Sequence, residues 1–348
     1  MELLSKEIFT LEYIRELQER YKKDPGLLER VMYAFGLLEA LAQVGMKFIF
    51  KGGTSLLLLT EHPLRLSTDI DIIVEPETDV EKFVLEASKI FPFKCHEKQI
   101  RKGKNKIKKE HYKFIYDSPI LKKDFYILLD IVFMENPYAT LIERKIQNDV
   151  LLTVGEPSKI VMPSADCILG DKMTAFAPHT TGIPIGIGKE LEIMKQMYDV
   201  ATLSEIFMNQ QELWETYDRV VMEEIAFRNI AEDRDSVLRD TIRATACIIG
   251  RGYTDPEEYP LYVEGAAALD SHILQGKYNR EMAAINACQV MYLAACILER
   301  KPFKKLDNPK KYISENMSGS RYNKLSYIKK HKLEAYGYLV EAVRILEE

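Results

Sequence analysis

Asp69 and Asp71 flank Ile70 at the start of a β-branched run that continues through Ile72, Ile73 and Val74. The run predicts a strand, and side chains alternate on a strand, so both aspartates share one face and Ile70 and Ile72 the other. Two carboxylates about 7 Å apart along a strand repel each other, and more strongly as water is excluded. A hard divalent cation with oxygen ligands relieves that repulsion. Mg²⁺, or Mn²⁺ in its place, bridging to the phosphates of a substrate is the usual case. A solvated strand end carrying two exposed aspartates is the alternative.

Upstream stands Lys47-Phe48-Ile49-Phe50-Lys51-Gly52-Gly53-Thr54-Ser55. Phe48 to Phe50 predict a short buried strand that Gly52 and Gly53 end. Glycine permits a sharp turn and lets a ligand approach the main chain closely. Thr54 and Ser55 stand where a helix over Leu56 to Leu59 would begin. Their hydroxyls can cap it, and the free N–H groups of a helix start favour a phosphate. Taken alone, Gly-Gly-Thr is a common turn, and the corner can be no more than that. A third acid, Asp130, lies inside the strand-length apolar run Phe125 to Phe133. An aspartate there is at a functional edge or is an expensive buried charge. If its strand neighbours the Asp-Ile-Asp strand, the three carboxylates form a site for two cations that activate an attacking oxygen and stabilise a leaving one. Otherwise a neighbouring Arg or Lys satisfies it.

Gly52-Gly53-Thr54-Ser55-Leu56 followed by Arg65-Leu66-Ser67-Thr68-Asp69-Ile70-Asp71 resembles the nucleotidyltransferase superfamily of the DNA polymerase β type. More narrowly it resembles the AbiEii/AbiGii toxins, a group that includes mycobacterial toxins that modify tRNA. The pattern Gly-Gly-Thr-x-Leu, then Arg-x-Ser-x-Asp-Ile-Asp, is met at each position. Asp171-Lys172-Met173-Thr174-Ala175 is similar to the group's Asp-Lys-x-x-Ala segment. Lys195-Gln196-Met197-Tyr198-Asp199 resembles its Arg/Lys-Asp-x-x-Asp segment, but Gln196 stands where an acid is usual, so only Lys195 and Asp199 carry over.

The resemblance implies Mg²⁺-dependent transfer of NMP from an NTP to an acceptor hydroxyl, an RNA or tRNA 3′ end or a protein side chain. It implies Asp69, Asp71 and Asp130 as metal ligands. Gly52, Gly53, Thr54, Ser55, Arg65, Ser67 and Lys195 would hold the nucleotide. Lys172 would neutralise triphosphate charge, oriented by Asp199. Asp199 can also serve as a base on the acceptor hydroxyl. A simple helix-to-helix ion pair between Lys172 and Asp199 is the structural alternative, and Arg65 can grip phosphate or pair with Asp69. The resemblance further implies the toxin of a type IV toxin–antitoxin pair in phage defence. Its antitoxin would be a transcriptional regulator that need not touch it. Two rivals share these motifs: a nucleotidyltransferase acting on a small molecule such as an aminoglycoside, and a non-catalytic nucleotide-binding module.

These groups must be positioned by two kinds of scaffold. Helices are expected at Leu27 to Val44 and Val80 to Ile90. Phe93 to Ile100 and Tyr112 to Tyr116 predict a hairpin, followed by the Asp130 strand. Beyond Pro163 the pattern is helical, at Glu190 to Leu203, Gln211 to Ile230, Asp235 to Ile249, Glu257 to Leu274 and Arg280 to Leu298. Gly182 to Gly188 interrupts the series as a loop near the site or a plain linker. The expected fold is α+β: a small mixed sheet with helices over 1–160, then an all-helical domain over 161–348 that contributes Lys172 and Asp199 to the site.

The 348 residues suffice for two cores, and a net charge of −5 argues against a wholesale nucleic-acid coat. Five cysteines without metal spacing, together with a start that lacks a basic, apolar leader, point to reduced thiols in a cytoplasm. No apolar run is expected to span a membrane, and the six histidines form no ligand motif. Arg101, Lys102, Lys104, Lys106, Lys108, Lys109 and Lys113 crowd one hairpin arm, where they can grip RNA or simply form a solvated charged face. Tyr112 and Phe114 can stack on bases or fill the core. A second basic stretch runs from Arg300 to Lys332.

Overall fold

The computed structural model describes residues 4–99 and 108–348. It comprises two compact units. One is Met1–Asn136, Thr140–Ser164 and Ser271–Gly276; the other is Pro137–Ala139, Ala165–Asp270 and Lys277–Glu348.

The first unit opens with helices α1 (Leu11–Tyr21) and α2 (Pro25–Gln43). Asp24 caps α2 by accepting from Leu27 N at 2.8 Å, and Pro25 occupies the first turn, where its missing N–H costs nothing. Strand β1 (Ile49–Lys51) runs into a single turn, α3 (Gly52–Ser55). Then follow β2 (Ile70–Val74), α4 (Val80–Ala87), β3 (Phe93–Gln99), β4 (Lys109–Ser118), β5 (Lys123–Phe133), β6 (Leu141–Lys145) and β7 (Lys159–Pro163). The strands form one mixed sheet in the order β3-β4-β5-β2-β1-β7-β6. The β2–β5 and β1–β7 pairs are parallel and the others antiparallel.

The alternation in β4 and β5 decides which face does what. Tyr112, Phe114 and Tyr116 on β4, with Ile127, Leu129, Ile131 and Phe133 on β5, are buried. Helix α2 packs against β5 and β2, and its Tyr33 stacks on Tyr116 with ring centroids 3.6 Å apart. Glu29 of α2, 1% exposed, is satisfied there: it accepts from Tyr116 Oη and Ser118 Oγ at 2.9 Å and from Ile120 N at 3.0 Å. The residues between, among them His111, Lys113, Leu128 and Asp130, lie half-buried on the opposite face. Tyr112 and Phe114 are therefore core residues, not stacking platforms for bases.

The second unit is helical: α5 (Ala165–Ala175), α6 (Glu190–Ile206), α7 (Gln210–Arg228), α8 (Arg234–Ile249), α9 (Tyr259–Leu269), α10 (Arg280–Leu298) and α11 (Leu333–Glu347). Helix α10 packs against α8, α11, α6 and α9 and is apolar nearly all round because it is the centre of the unit. By length and composition α10 could span a membrane, contrary to expectation, but 78% of its apolar window is buried by the surrounding helices. Gly265 lets α9 close on α6; a Cβ there would lie 2.3 Å from Glu190 O. Of the cysteines only Cys95 is exposed, and all five are free thiols.

An α+β fold with a mixed sheet and a helical C-terminal region is what the chain adopts. Three expectations change. Strands β6 and β7 extend the sheet beyond β1, and α1 precedes α2. The helix expected to run to Leu274 stops at Leu269. Beyond Asp270 the chain enters the first unit, where Leu66 N donates to His272 O at 2.8 Å and Leu274 N to Leu64 O at 3.0 Å. Asp270 accepts from Tyr278 N at 2.6 Å, closing the base of that excursion.

Candidate active site

The glycine corner forms because β1 must stop beside β2. Gly52 has φ +78°, which favours glycine, and a Cβ at that position would fall 2.1 Å from Asp71 Oδ2. The main chain of the corner is thus pressed directly against a carboxylate. At Gly53 a Cβ would meet Arg65 Nη2 at 2.7 Å and Ser67 Oγ at 2.9 Å. A guanidinium, a hydroxyl, two glycine backbones and a carboxylate therefore share one small space.

The hydroxyls here brace the corner and do not cap a helix. Thr54 Oγ1 bonds Asp69 O at 2.5 Å and Ser67 Oγ at 3.0 Å, tying the corner to the approach of β2. Ser55 Oγ donates to Gly52 O at 2.8 Å. After Ser55 the chain continues as a 3-10 turn, Leu56–Leu58, with Leu57 and Leu58 buried. Arg65 is 4% exposed; its Nη1 donates to Leu66 O at 3.1 Å, and its backbone bridges to Ile273.

The strand register gathers the acids. Asp71 on β2 pairs with Asp130 on β5, which is the neighbour relationship expected of the third carboxylate. Paired residues present their side chains on the same side of a sheet. Extending the register gives one polar row across five strands: Gln99, His111, Asp130, Asp71 and Lys51. Asp69 lies one step outside β2, exposed. Among the described residues no three His, Cys, Asp or Glu side chains converge on one metal position. What stands ready is a pair of hard oxygen donors side by side at strand spacing, with Asp69 two residues from Asp71. That donor chemistry fits a divalent cation of the Mg²⁺ class.

Among the described residues Asp130 is satisfied neither by Lys nor by Arg. His111 Nδ1 lies 2.6 Å from Asp130 Oδ1. No sequence motif marks His111; only the register of β4 on β5 brings it there.

In the helical unit, Lys172 on α5 is buried with Asp199 of α6, Nζ to Oδ2 3.0 Å. Gln196, one turn before Asp199, accepts from the same Nζ at 2.7 Å. The glutamine standing where an acid is usual thus still reaches the lysine, as a neutral acceptor. Tyr138 Oη donates to Asp171 at 2.7 Å, and Lys195 is half-buried on α6.

Of the basic arm, Arg101, Lys102, Lys104 and Lys106 lie outside the described residues. Lys108 sits 3.9 Å from the centre of the Phe133 ring and Lys113 4.2 Å from that of Tyr126. In the second basic stretch several cations are engaged internally: Lys329 donates to Glu315 O at 2.7 Å, Lys301 pairs with Glu348, and Lys305 reaches Glu205 O.

Two solved structures are distantly similar. One is JHP933 from Helicobacter pylori, at 13% identity and a TM-score of 0.44, covering 78% of this chain and 93% of that one. The other, also from H. pylori and described as a candidate nucleotidyltransferase, shows 14% identity and a TM-score of 0.44, covering 79% and 99%. No curated protein matches the sequence. The family model described as the nucleotidyl transferase AbiEii toxin of a type IV toxin–antitoxin system matches residues 36–283, which include the glycine corner, all three aspartates, Lys172 and Asp199. The chain belongs to the AbiEii nucleotidyltransferase toxin family.

Proposed function

We propose that this protein transfers NMP from an NTP to the 3′ hydroxyl of an RNA, tRNA being the leading candidate, and that it acts as the toxin of a phage-defence pair. The observation that carries the chemistry is the position of Asp71: opposite Asp130 in the sheet and against the backbone of Gly52. A ligand touching the corner's N–H groups lies within reach of a carboxylate pair.

In this reading Asp71 and Asp130, with Asp69, hold Mg²⁺ or Mn²⁺. The bound cation supplies charge neutralisation at the phosphates and lowers the pKa of an oxygen it ligates. Gly52 and Gly53 offer main-chain N–H groups to the triphosphate. Arg65 and Ser67, packed on Gly53, add a guanidinium fork and a hydroxyl. Thr54 and Ser55 keep the corner's shape through the bonds described above. Lys172, oriented by Asp199 and Gln196, and Lys195 are the further cations assigned to phosphate. The acceptor oxygen attacks the α-phosphorus in line. The new P–O bond forms as the bond to the β-phosphate bridging oxygen breaks, and pyrophosphate leaves with that electron pair. The acceptor's proton passes to solvent or to a carboxylate.

Family membership supports the transferase class and an antitoxin as genetic counterpart. The basic arm, lying on the chain between Gln99 and Asp130, supports an RNA acceptor over a small molecule. The test is incubation with total RNA and each α-labelled NTP in Mg²⁺. A labelled RNA band that disappears in Asp69→Asn is expected. A labelled protein band would move the acceptor to a side-chain hydroxyl. No label with any NTP would overturn the reading.

A further inference from the structure

The polar row across the sheet contains one member that no motif accounts for. His111 is paired with Asp130 in the β4–β5 register, and its Nδ1 lies 2.6 Å from Oδ1 of that carboxylate. Both side chains are largely withdrawn from solvent, 16% exposed for His111 and 29% for Asp130. Asp130 is the central member of the row, flanked by His111 on one side and by Asp71 on the other.

The kind of residue at this position matters. A lysine or arginine beside Asp130 would cancel much of its charge and compete with a divalent cation. The same sheet face has a lysine one step further along β4, Lys113, but its ammonium is placed over the Tyr126 ring, 4.2 Å from the centroid. An imidazole N–H orients a carboxylate through one hydrogen bond and need not bring a full positive charge. It also engages one oxygen, Oδ1, and among the described residues leaves Oδ2 to a ligand. Hydrogen-bonded partners of this kind orient ligating carboxylates at metal sites, and losing one costs about 10–100-fold in metal affinity or activity.

We propose that His111 is a positioning residue: by engaging Asp130 Oδ1 it fixes the plane of this carboxylate so that its other oxygen faces the cation shared with Asp71. This rests on the nucleotidyltransferase reading above and adds a residue to it.

The experiment measures the melting temperature of the full-length protein against Mg²⁺ concentration, with a non-hydrolysable NTP present. Label transfer is titrated with Mg²⁺ in parallel. His111→Ala is expected to raise the Mg²⁺ concentration for half-maximal response about 10–100-fold in both titrations. Transfer should recover toward the wild-type rate at saturating Mg²⁺. His111→Asn places an amide N–H near the position of Nδ1 and is expected to restore most of the affinity; His111→Gln, whose amide reaches toward the Nε2 position, is not. A purely packing role would leave the Mg²⁺ dependence unchanged and move only the melting temperature without metal. Unchanged titrations in His111→Ala, or Asn and Gln behaving alike, overturn the assignment while leaving the nucleotidyltransferase reading intact. A wild type that no Mg²⁺–NTP combination stabilises overturns both.

Discussion

Asp71 and Asp130 stand directly opposite each other on parallel neighbouring strands, with their side chains on the same face of the sheet. Charges about 5 Å apart at an effective dielectric near 20 repel by roughly 3 kcal/mol, less what solvent screens. Lys51 stands beside Asp71 in the β1–β2 register, and both residues have partners, so part of that repulsion is offset. Asp71→Asn removes the repulsion and that compensation together and is therefore expected to shift the melting temperature in EDTA by no more than a few degrees. The same variant should lose transfer below detection and lose its Mg²⁺-dependent rise in melting temperature. A variant that transfers at the wild-type rate would remove Asp71 from the site.

The two glycines make different predictions because they are constrained differently. Gly52 combines φ +78° with a would-be Cβ at 2.1 Å from Asp71 Oδ2, so Gly52→Ala meets backbone strain and a collision at once. The left-handed conformation alone costs about 1–2 kcal/mol, and displacement of the carboxylate adds to it. At Gly53 the atoms in the way are the ends of Arg65 and Ser67, side chains that can shift. Gly53→Ala should cost clearly less stability while raising KM for NTP, since those two groups are the ones assigned to phosphate. Urea melts and NTP titrations of both variants check the contrast; equal destabilisation would contradict it.

The local patterns in this site are legible in the amino-acid sequence, and most of the long-range pairings are not. Ile70 to Val74 is a strand because its β-branched run admits little else, and α10 spans the residues that its apolar pattern marks. Asp71 and Asp130 meet because the apolar runs around them are adjacent strands, a pairing that follows from the motif order once a family is suspected. His111 is different. A histidine on an alternating strand looks the same whatever register its strand adopts, and only the β4–β5 pairing assigns it to Asp130. The stop of α9 at Leu269 is equally hidden. Its continuation, residues 271–274, is apolar enough for a helix, but their backbone groups bond to Leu64 and Leu66, some 200 positions earlier in the chain. Strand β6, Leu141-Ile142-Glu143-Arg144-Lys145, is mostly charged, and β7 offers only Ile160, Val161 and Met162 between Lys159 and Pro163, so neither carries the β-branched signal of β2.

Lys172 and Asp199 form an ion pair with side chains 9% and 1% exposed. Burying two charges costs several kcal/mol that only good geometry repays, and removing Asp199 leaves the buried Lys172 ammonium with the neutral Gln196 acceptor in place of a counter-ion. Asp199→Ala is expected to destabilise by about 3–5 kcal/mol. The double variant Lys172→Met, Asp199→Leu should recover much of that loss and still be inactive. Those two outcomes together separate a functional pair from a structural one. A double variant that transfers normally would show the pair to be scaffold. Chemical denaturation of the wild type, Lys172→Met, Asp199→Leu and the double variant gives the coupling energy directly.

His179 supplies a pH dependence whose sign can be worked out. Its Nδ1 meets Asp240 Oδ1 at 2.5 Å and its Nε2 meets Glu258 Oε1 at 2.8 Å, so each ring nitrogen faces a carboxylate on a different side. The hydrogen bond to Asp240 raises its pKa most; burial opposes this, and the bond to Glu258 raises it further. Asp240 is itself tied down, accepting from the His179 N–H and from Thr180 Oγ1, both at 2.8 Å. Arg243 lies beside Glu258 and Asp255. Because the folded pKa exceeds the unfolded value near 6.5, protonation favours the folded state. The contribution is complete below about pH 6.5 and disappears as pH rises through the folded pKa. Urea midpoints of the wild type should therefore fall as pH rises above about 6.5 relative to His179→Gln, which has no such group to lose. A difference between the two proteins that stays constant from about pH 6 to 9 would show that His179 is held by packing and not by its two carboxylates.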